Sequence, residues 1–320
     1  MQNSQFNPKV SIIIPVYNGK NYLEYAINCA LNQTYENIEI LVVNDGSADD
    51  GATEAIARSF GDRIRYFSKP NGGVSSALNY GLREMTGDYF SWLSHDDGYA
   101  PTKVADAVEL LRATKNGGKK TIAYTFGHYI DKDGRVLKPF AHKFQVGRRY
   151  SGAEMAEYSV RNGTLNGCCM LIPRQAFEEF GGFDETLRYS QDTLMWLTLF
   201  FGGYGLVSDD RDNVMMRLHG SQVSRNRHDL FVRDSMAIAR KLAPNMAKCS
   251  DRSNNLLYLY ALRMAQHNCD EVARYYQDFA SRYCPFTIGQ RMNLSLRRLY
   301  GRVRGKLKRI YYRFILKVGT

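Results

Sequence analysis

Residues 10–93 carry an alternation that few architectures can absorb. Val10-Ser11-Ile12-Ile13-Ile14-Pro15-Val16-Tyr17-Asn18 is a β-branched run closed by Pro and Asn. It reads as a buried parallel strand rather than a half-exposed alternating one. From Tyr22 to Asn32 the residues Leu23, Ala26, Ile27, Ala30 and Leu31 form a helical stripe. Ile38-Glu39-Ile40-Leu41-Val42-Val43 is a second strand, closed by Asn44-Asp45-Gly46-Ser47. A helix-like span from Gly51 to Phe60 leads to the short strand Ile64-Arg65-Tyr66-Phe67. The loop Lys69-Pro70-Asn71-Gly72-Gly73 then opens a helix through Ala77, Leu78 and Leu82. This order predicts an α/β fold with a mostly parallel sheet and helices on both faces.

The next strand, Tyr89-Phe90-Ser91-Trp92-Leu93, runs into Ser94-His95-Asp96-Asp97 before Gly98 and Pro101 break it. Asp96 and Asp97 therefore fall at a strand's carboxyl end, where open α/β sheets place their ligands. Two adjacent anions repel, so a bound cation is one reason to put them there. A plain strand-ending turn is the other, because Asp and Gly are ordinary turn residues.

In order, strand-Pro15-Val16-Tyr17-Asn18, Val43-Asn44-Asp45-Gly46-Ser47, Asn71-Gly72-Gly73, Gly87-Asp88-Tyr89 and the Asp pair resemble the family 2 glycosyltransferases. The resemblance covers residues 8–225 and rests on five ordered motifs, each weak alone. It implies the Rossmann-like glycosyltransferase A fold, a nucleotide-sugar donor and inversion at the anomeric carbon. A UDP-sugar is the implied donor, with a dTDP-sugar as the alternative. Carried over residue by residue, Pro15, Val16 and Tyr17 match the loop that cups the base and ribose. Asp45 matches the acid that hydrogen-bonds the base, and Lys69 and Asn71 match a second base-contacting loop. Ser94-His95-Asp96 matches the Asp-x-Asp motif, with Asp97 following. Ser94 stands where the family usually has its first Asp. Asp96 and Asp97 are then the implied ligands of a Mn²⁺ or Mg²⁺ ion, a hard cation suited to an oxygen-rich site. Asp96 would thereby also hold the donor.

Gly181-Gly182-Phe183-Asp184-Glu185 and Ser190-Gln191-Asp192-Thr193-Leu194 resemble the family's later signature, with Gln191-Asp192 in place of the usual Glu-Asp pair. Asp192 matches the catalytic base that an inverting transfer needs. It also precedes an apolar helical run, where Asp is a favoured N-cap. Asn166-Gly167-Cys168-Cys169-Met170-Leu171-Ile172-Pro173 resembles the strand lining the acceptor cleft. That makes Asn166, Gly167 and Gln191 acceptor candidates, against the alternative of a plain buried strand. Arg217-Leu218-His219-Gly220-Ser221-Gln222-Val223-Ser224 matches a late loop whose His219 can complete the metal or pyrophosphate site, with Arg217 beside it. His95 reads as structural.

The net charge of +11 is localised. No acidic residue follows Asp278, whereas eleven Lys and Arg do, so the portion before them is neutral. Met292, Leu296, Leu299, Val303, Leu307, Ile310, Phe314 and Val318 step by three or four through this tail. A basic amphipathic helix of this kind can lie on an anionic membrane leaflet. It can also pack on the rest of the chain with a solvated basic face. Gly301 and Gly305 weaken it as a helix.

No apolar run reaches the roughly 20 residues that span a bilayer, and residues 1–9 lack an apolar signal core. Six cysteines show no C-x-x-C spacing, as in a reduced compartment. The expectation is a cytoplasmic enzyme, peripheral on the inner face of the membrane, that extends a glycan or lipid-linked acceptor in surface polysaccharide synthesis. Its divisions are a transferase domain over 1–225, a helical extension over 226–284 and the basic tail over 285–320. A sugar-phosphate nucleotidyltransferase would need a Gly-rich phosphate loop that Pro15–Gly19 is not, and a dinucleotide oxidoreductase would need G-x-G-x-x-G. Nucleic acid is not an expected partner, because the tail lacks a reading head. A relative that binds nucleotide-sugar without turnover is the alternative that Ser94 and Gln191 keep open.

Overall fold

The computed structural model describes residues 6–114, 119–140, 145–220, 228–250 and 255–318. The chain divides into two compact units, Met1–Met155 with Thr164–Asn226, and Ala156–Gly163 with Arg227–Thr320.

The first unit is built on one sheet. Strand β1 (Val10–Val16) is buried along its whole length. It pairs in parallel with β2 (Ile38–Asn44) on one side and β4 (Tyr89–Trp92) on the other, Val10 facing Ile38 and Tyr89. Burial on both flanks explains why this strand is all apolar rather than alternating. Strand β3 (Arg65–Ser68) adds in parallel to β2. Between the strands run α1 (Leu23–Leu31), α2 (Ala52–Ser59) and α3 (Val74–Glu84). Helix α3 lies close on β1: a Cβ on Gly81 would stand 2.5 Å from Ile13 Cγ2.

Beyond β4 the sheet becomes mixed. The remaining strands are β5 (Gly98–Tyr99), β6 (Thr121–Ile130), β7 (Val136–Pro139), β8 (Arg149–Tyr150), β9 (Met170–Pro173) and β10 (Gly205–Arg217). The spatial order is β3-β2-β1-β4-β9-β6-β10-β5, with β7 on β6 and β8 on β10. Strand β9 runs antiparallel to both β4 and β6, and β6 pairs in parallel with β10. The helices here are α4 (Lys103–Arg112), the start of α5 (Gly152–Asn162), which from Ala156 on belongs to the second unit, α6 (Arg174–Phe180) and α7 (Gln191–Phe201). Lys103, at the start of α4, is fully buried. Its Nζ donates to Ser91 Oγ at 2.7 Å and to the Met170 carbonyl at 3.2 Å, and lies 4.4 Å from the centre of the Tyr99 ring. Burial pushes its amine down to about 8.

The second unit is helical: α8 (His228–Lys248), α9 (Leu256–Gln266), α10 (Asp270–Ala280) and α11 (Ile288–Val318). Asn255 caps α9 by accepting from the Tyr258 N–H at 3.0 Å, and its Nδ2 reaches the Cys284 carbonyl at 2.9 Å. Tyr260 and Tyr276 meet in its core, ring centres 5.1 Å apart. Helix α11 docks through Leu294, which is buried, and through Arg298, which donates to both oxygens of Asp270 at 2.5 and 3.1 Å. Arg302 joins the same carboxylate. The arginines hold the Asp270 carboxyl down at about 2. Gly301, which reads from sequence as a weak point, is where α11 backs tightly onto α9. A Cβ there would stand 2.1 Å from the Ala265 carbonyl oxygen, so only glycine allows the approach. Side chains beyond residue 304, including Leu307, Ile310, Phe314 and Val318 of the tail stripe, lie outside the described residues. No described helix is long and apolar enough to cross a membrane. No disulfide links the cysteines.

Candidate active site

The ends of β1, β2 and β4 are laced into one rim. Pro15 and Val16 are buried within β1, and Pro15 lies opposite Val43. Tyr17 emerges from the strand 47% exposed. The Val16 carbonyl accepts from Asp45 N–H at 2.8 Å. Asn18, in a left-handed conformation, accepts from Ala48 N–H and donates its own N–H to Ser47 Oγ, both at 2.8 Å. His95 bonds the Pro15 backbone, and burial keeps its imidazole below the usual histidine range.

Asp45 works inward. Its carboxylate accepts from Lys69 Nζ at 2.5 Å, Gly72 N–H at 3.0 Å and Gly73 N–H at 2.7 Å. Asn71 Nδ2 donates to its carbonyl at 2.8 Å. Asp45 thus folds the Lys69–Gly73 loop around itself and is itself buried. The sequence reading had it face the base. The structure gives it a different first task, because four donors on one loop need an acceptor.

Asp96, Asp97 and His219, read from sequence as one ligand set, are not assembled as one. His219 Nε2 and Asp96 Oδ2 are 2.9 Å apart, both side chains 14% exposed. Asp97 is buried instead. Its Oδ1 accepts from the Arg217 backbone N–H at 2.9 Å, and its Oδ2 lies 3.5 Å from Cys168 Sγ. Burial and the neighbouring Asp96 charge push its carboxyl well above the usual range. The reason is local: Ser94–Asp97 is a turn, closed by Asp97 N–H on the Ser94 carbonyl, and Asp97 satisfies the end of β10. Among the described residues no three His, Cys, Asp or Glu side chains could hold a metal together. Asp96 and His219 do fit a cation whose other ligands come from the substrate and water. Arg217 braces this corner. Its Nε donates to the Asp96 carbonyl at 3.0 Å, and its guanidinium lies over the Tyr22 and Tyr25 rings at 4.6 and 5.1 Å. The late loop beyond Gly220, Ser221 to Ser224, lies outside the described residues.

The acceptor candidates sit on an aromatic floor. Gly167 fills the gap between Trp92 and Trp196, where a Cβ would stand 2.5 Å from one ring and 3.1 Å from the other. Phe183 packs edge-on against both tryptophans. Asn166 caps the following turn through its Oδ1, leaving its Nδ2 buried without a partner. Gln191 is 7% exposed, and its Oε1 is likewise buried and unpartnered. Asp192 is half-buried in the first turn of α7. It is not the N-cap residue; Ser190 holds that place, with no side-chain cap bond. One Asp192 oxygen accepts from Thr193 N–H at 2.7 Å. Burial pushes its carboxyl up to about 6, within the range useful to a base at neutral pH.

Two residues that no sequence motif marked tie these regions together. Asn79 on α3 exchanges bonds with the Phe183 backbone at 2.8 and 2.7 Å. Arg188 donates to the Gly72 carbonyl at 2.7 Å. The segment leading to Asp192 is therefore pinned to the loop that Asp45 organises. Both contacts span more than a hundred residues, and no local pattern announces them.

Known proteins resemble this chain in sequence and in fold. The chain is 42% identical over 226 residues to a Rickettsia typhi protein described as an uncharacterized glycosyltransferase, covering 70% of this chain and 68% of that one. It is 49% identical over 197 residues to a Rickettsia bellii relative of the same description, 62% of this chain and 28% of that protein. The chain spans under a third of the length of the first curated relatives it matches. Hyaluronan synthase of Pasteurella multocida is 31% identical over 204 residues, 62% of this chain and 20% of the synthase. Among solved structures, S. aureus TarS in complex with UDP-GlcNAc superposes with a TM-score of 0.61 at 15% identity, covering 86% of this chain and 80% of that one. A mannosyltransferase from Pyrobaculum calidifontis in complex with GDP-Man and Mn²⁺ gives 0.56 at 17%, covering 94% and 85%. At such identities the likeness is one of fold. The model of glycosyl transferase family 2 matches residues 11–181, more than half of the sequence and the stretch that builds the rim from β1 to β9; the chain belongs to that family.

Proposed function

We propose that this chain moves a sugar from a nucleoside diphosphate to an acceptor hydroxyl with inversion. The observation that carries the reading is the gathering of Tyr17, Asp45 and Asp96 at the carboxyl ends of three adjacent parallel strands. Tyr17 offers an exposed ring to the base, and Pro15 and Val16 fix the strand behind it. Asp45 holds Lys69 and Asn71 in place and keeps acceptor capacity for the base. Asp96 and His219 would hold a Mn²⁺ or Mg²⁺ ion, which when bound neutralises charge on the departing diphosphate. Asp97 is excluded from that set by its burial and keeps the turn in shape.

Asp192 takes the proton of the attacking hydroxyl. A carboxylate pushed up to about 6 is ionised at neutral pH yet more basic than an exposed one. Gln191, Asn166 and Gly167 face the acceptor, with Trp92 and Trp196 beneath. A glycan or lipid-linked acceptor of surface polysaccharide synthesis fits the likeness to the hyaluronan and chondroitin synthases of Pasteurella multocida. UDP-sugar is the donor class favoured, in line with the UDP-GlcNAc bound in TarS. The basic tail suits an anionic membrane, which would make the protein peripheral on its inner face. The test is a panel of UDP-, dTDP- and GDP-sugars with Mn²⁺ or Mg²⁺, reading thermal stabilisation and release of nucleoside diphosphate. A ligand at 100 times its Kd should add about 2.7 kcal/mol. Stabilisation without any release, by every donor and acceptor tried, would leave a binding protein in place of a transferase.

A further inference from the structure

The two faces of α11 differ in kind. One is docked: Leu294 is 1% exposed, Arg298 and Arg302 hold Asp270, and Gly301 touches α9. The opposite one carries Ile288, Met292, Leu296, Leu299 and Val303, 78, 64, 66, 59 and 48% exposed. At 3.6 residues per turn these five fall on one line, diametrically across from Leu294 and Gly301. By the same spacing Arg291 lies about 100° to one side of the line, and Arg304 and Arg297 lie about 120° and 140° to the other. Tyr300, 54% exposed, stands at its edge, where an apolar ring with a polar tip suits a boundary between oil and water. Five large apolar side chains in one exposed row, on a helix that carries arginines and no acid, is an uncommon surface for water alone.

We infer that α11 lies in the plane of an anionic lipid surface with this row inserted among the acyl chains. The inference rests on the membrane reading above and adds which side chains enter the lipid. Docking on α9 and α10 fixes the helix's rotation, so the lipid-facing row is preformed and needs no folding on contact. Arg291 and Arg304, whose long stems can reach round from the sides of the helix, meet the phosphates at headgroup depth. The sequence repeats the same step beyond residue 304 at Leu307, Ile310 and Phe314.

Co-sedimentation of the full chain with phosphatidylcholine vesicles, with and without phosphatidylglycerol, tests it. The triple substitution Met292→Glu, Leu296→Glu, Leu299→Glu alters only exposed positions, and its thermal unfolding should match that of the parent. Its partition onto anionic vesicles should fall at least roughly tenfold. Arg291→Gln with Arg304→Gln should lose severalfold at low salt and little at high salt. If the triple variant binds as well as the parent, α11's row is not the lipid face, although the membrane reading survives through the residues after it. If the parent binds no vesicle, both fail. A parent that is dimeric in solution and becomes monomeric on the triple substitution would assign the row to a second copy instead.

Discussion

The rim proposed for the donor and the floor proposed for the acceptor are finished to different degrees. On the donor side most of the polar groups answer one another: Asp45 takes three donors from the Lys69–Gly73 loop, and the strand ends are cross-bonded, with Ser75 Oγ the buried exception. On the acceptor side Asn166 Nδ2 and Gln191 Oε1 are buried and unpaired, and Asp192 is held at a raised proton affinity. A buried polar atom without a partner costs about 1–3 kcal/mol. A chain tolerates that where a ligand supplies the missing bond. On the proposed assignment, the donor half is organised in the free protein and the acceptor half would be completed by what binds there.

Asp192→Asn should break the acceptor side most. Amide and carboxylate are close in shape, so donor affinity should hold while transfer falls about 10²–10⁴-fold. In the parent, transfer should rise with pH through about 6 as Asp192 ionises; this limb should vanish in the variant. Stability gives an independent reading. The carboxyl titrates near 3.8 when unfolded and near 6 when folded, so the fold disfavours its charged form. That cost is absent below pH 3.8, grows between the two values and is complete above 6. Asn should therefore stabilise the fold by about 1–3 kcal/mol at pH 8 and not at pH 3.5, measured by denaturant melts. Unchanged transfer would remove Asp192 from the chemistry, and a stability gain at acid pH alone would overturn its raised carboxyl.

Asp96→Ala comes next. Calorimetry of UDP with and without Mn²⁺ should show the metal-dependent gain in affinity lost, at least roughly tenfold, with the fold intact. An undiminished metal effect would move the cation elsewhere. Asp45→Ala tests the donor side as a clamp. It should lower stability by about 1–3 kcal/mol, because Lys69 and two N–H groups lose their acceptor. Gln191→Leu is the matched control on the other side. It removes an atom that has no partner, so stability should stay within about 1 kcal/mol or rise, while the acceptor KM increases. Equal destabilisation by Asp45→Ala and Gln191→Leu would erase the contrast between the two halves.

Much of the donor half can be read from sequence because its signals are local. The buried run at 10–16, the turn after Asn44 and the strand ahead of Ser94 each announce themselves within a dozen residues, and the structure places elements there. The acceptor half depends on contacts that sequence spacing does not encode. Strand β9 enters antiparallel between β4 and β6, bringing Gly167 against Trp92 from 75 residues away. Asn79 and Arg188 look like ordinary helix and loop residues until their partners arrive. Asp97 shows the converse failure: beside Asp96 it looked like a second ligand, but adjacent positions at a strand end need not share a face. The tail's periodicity was visible in sequence. Which side of it would be covered was not, because Asp270 and Ala265 determine that.

Lys103 carries one more consequence. Most lysines are protonated by several orders of magnitude at neutral pH and acylate slowly for that reason; this one is shielded by protein instead. Its amine, pushed down to about 8, has a substantial neutral fraction in mildly alkaline solution but no path to reagent while it is buried. Acylation at this position is therefore a clock for opening. Its rate counts how often Lys103 leaves its bonds to Ser91 of β4 and Met170 of β9.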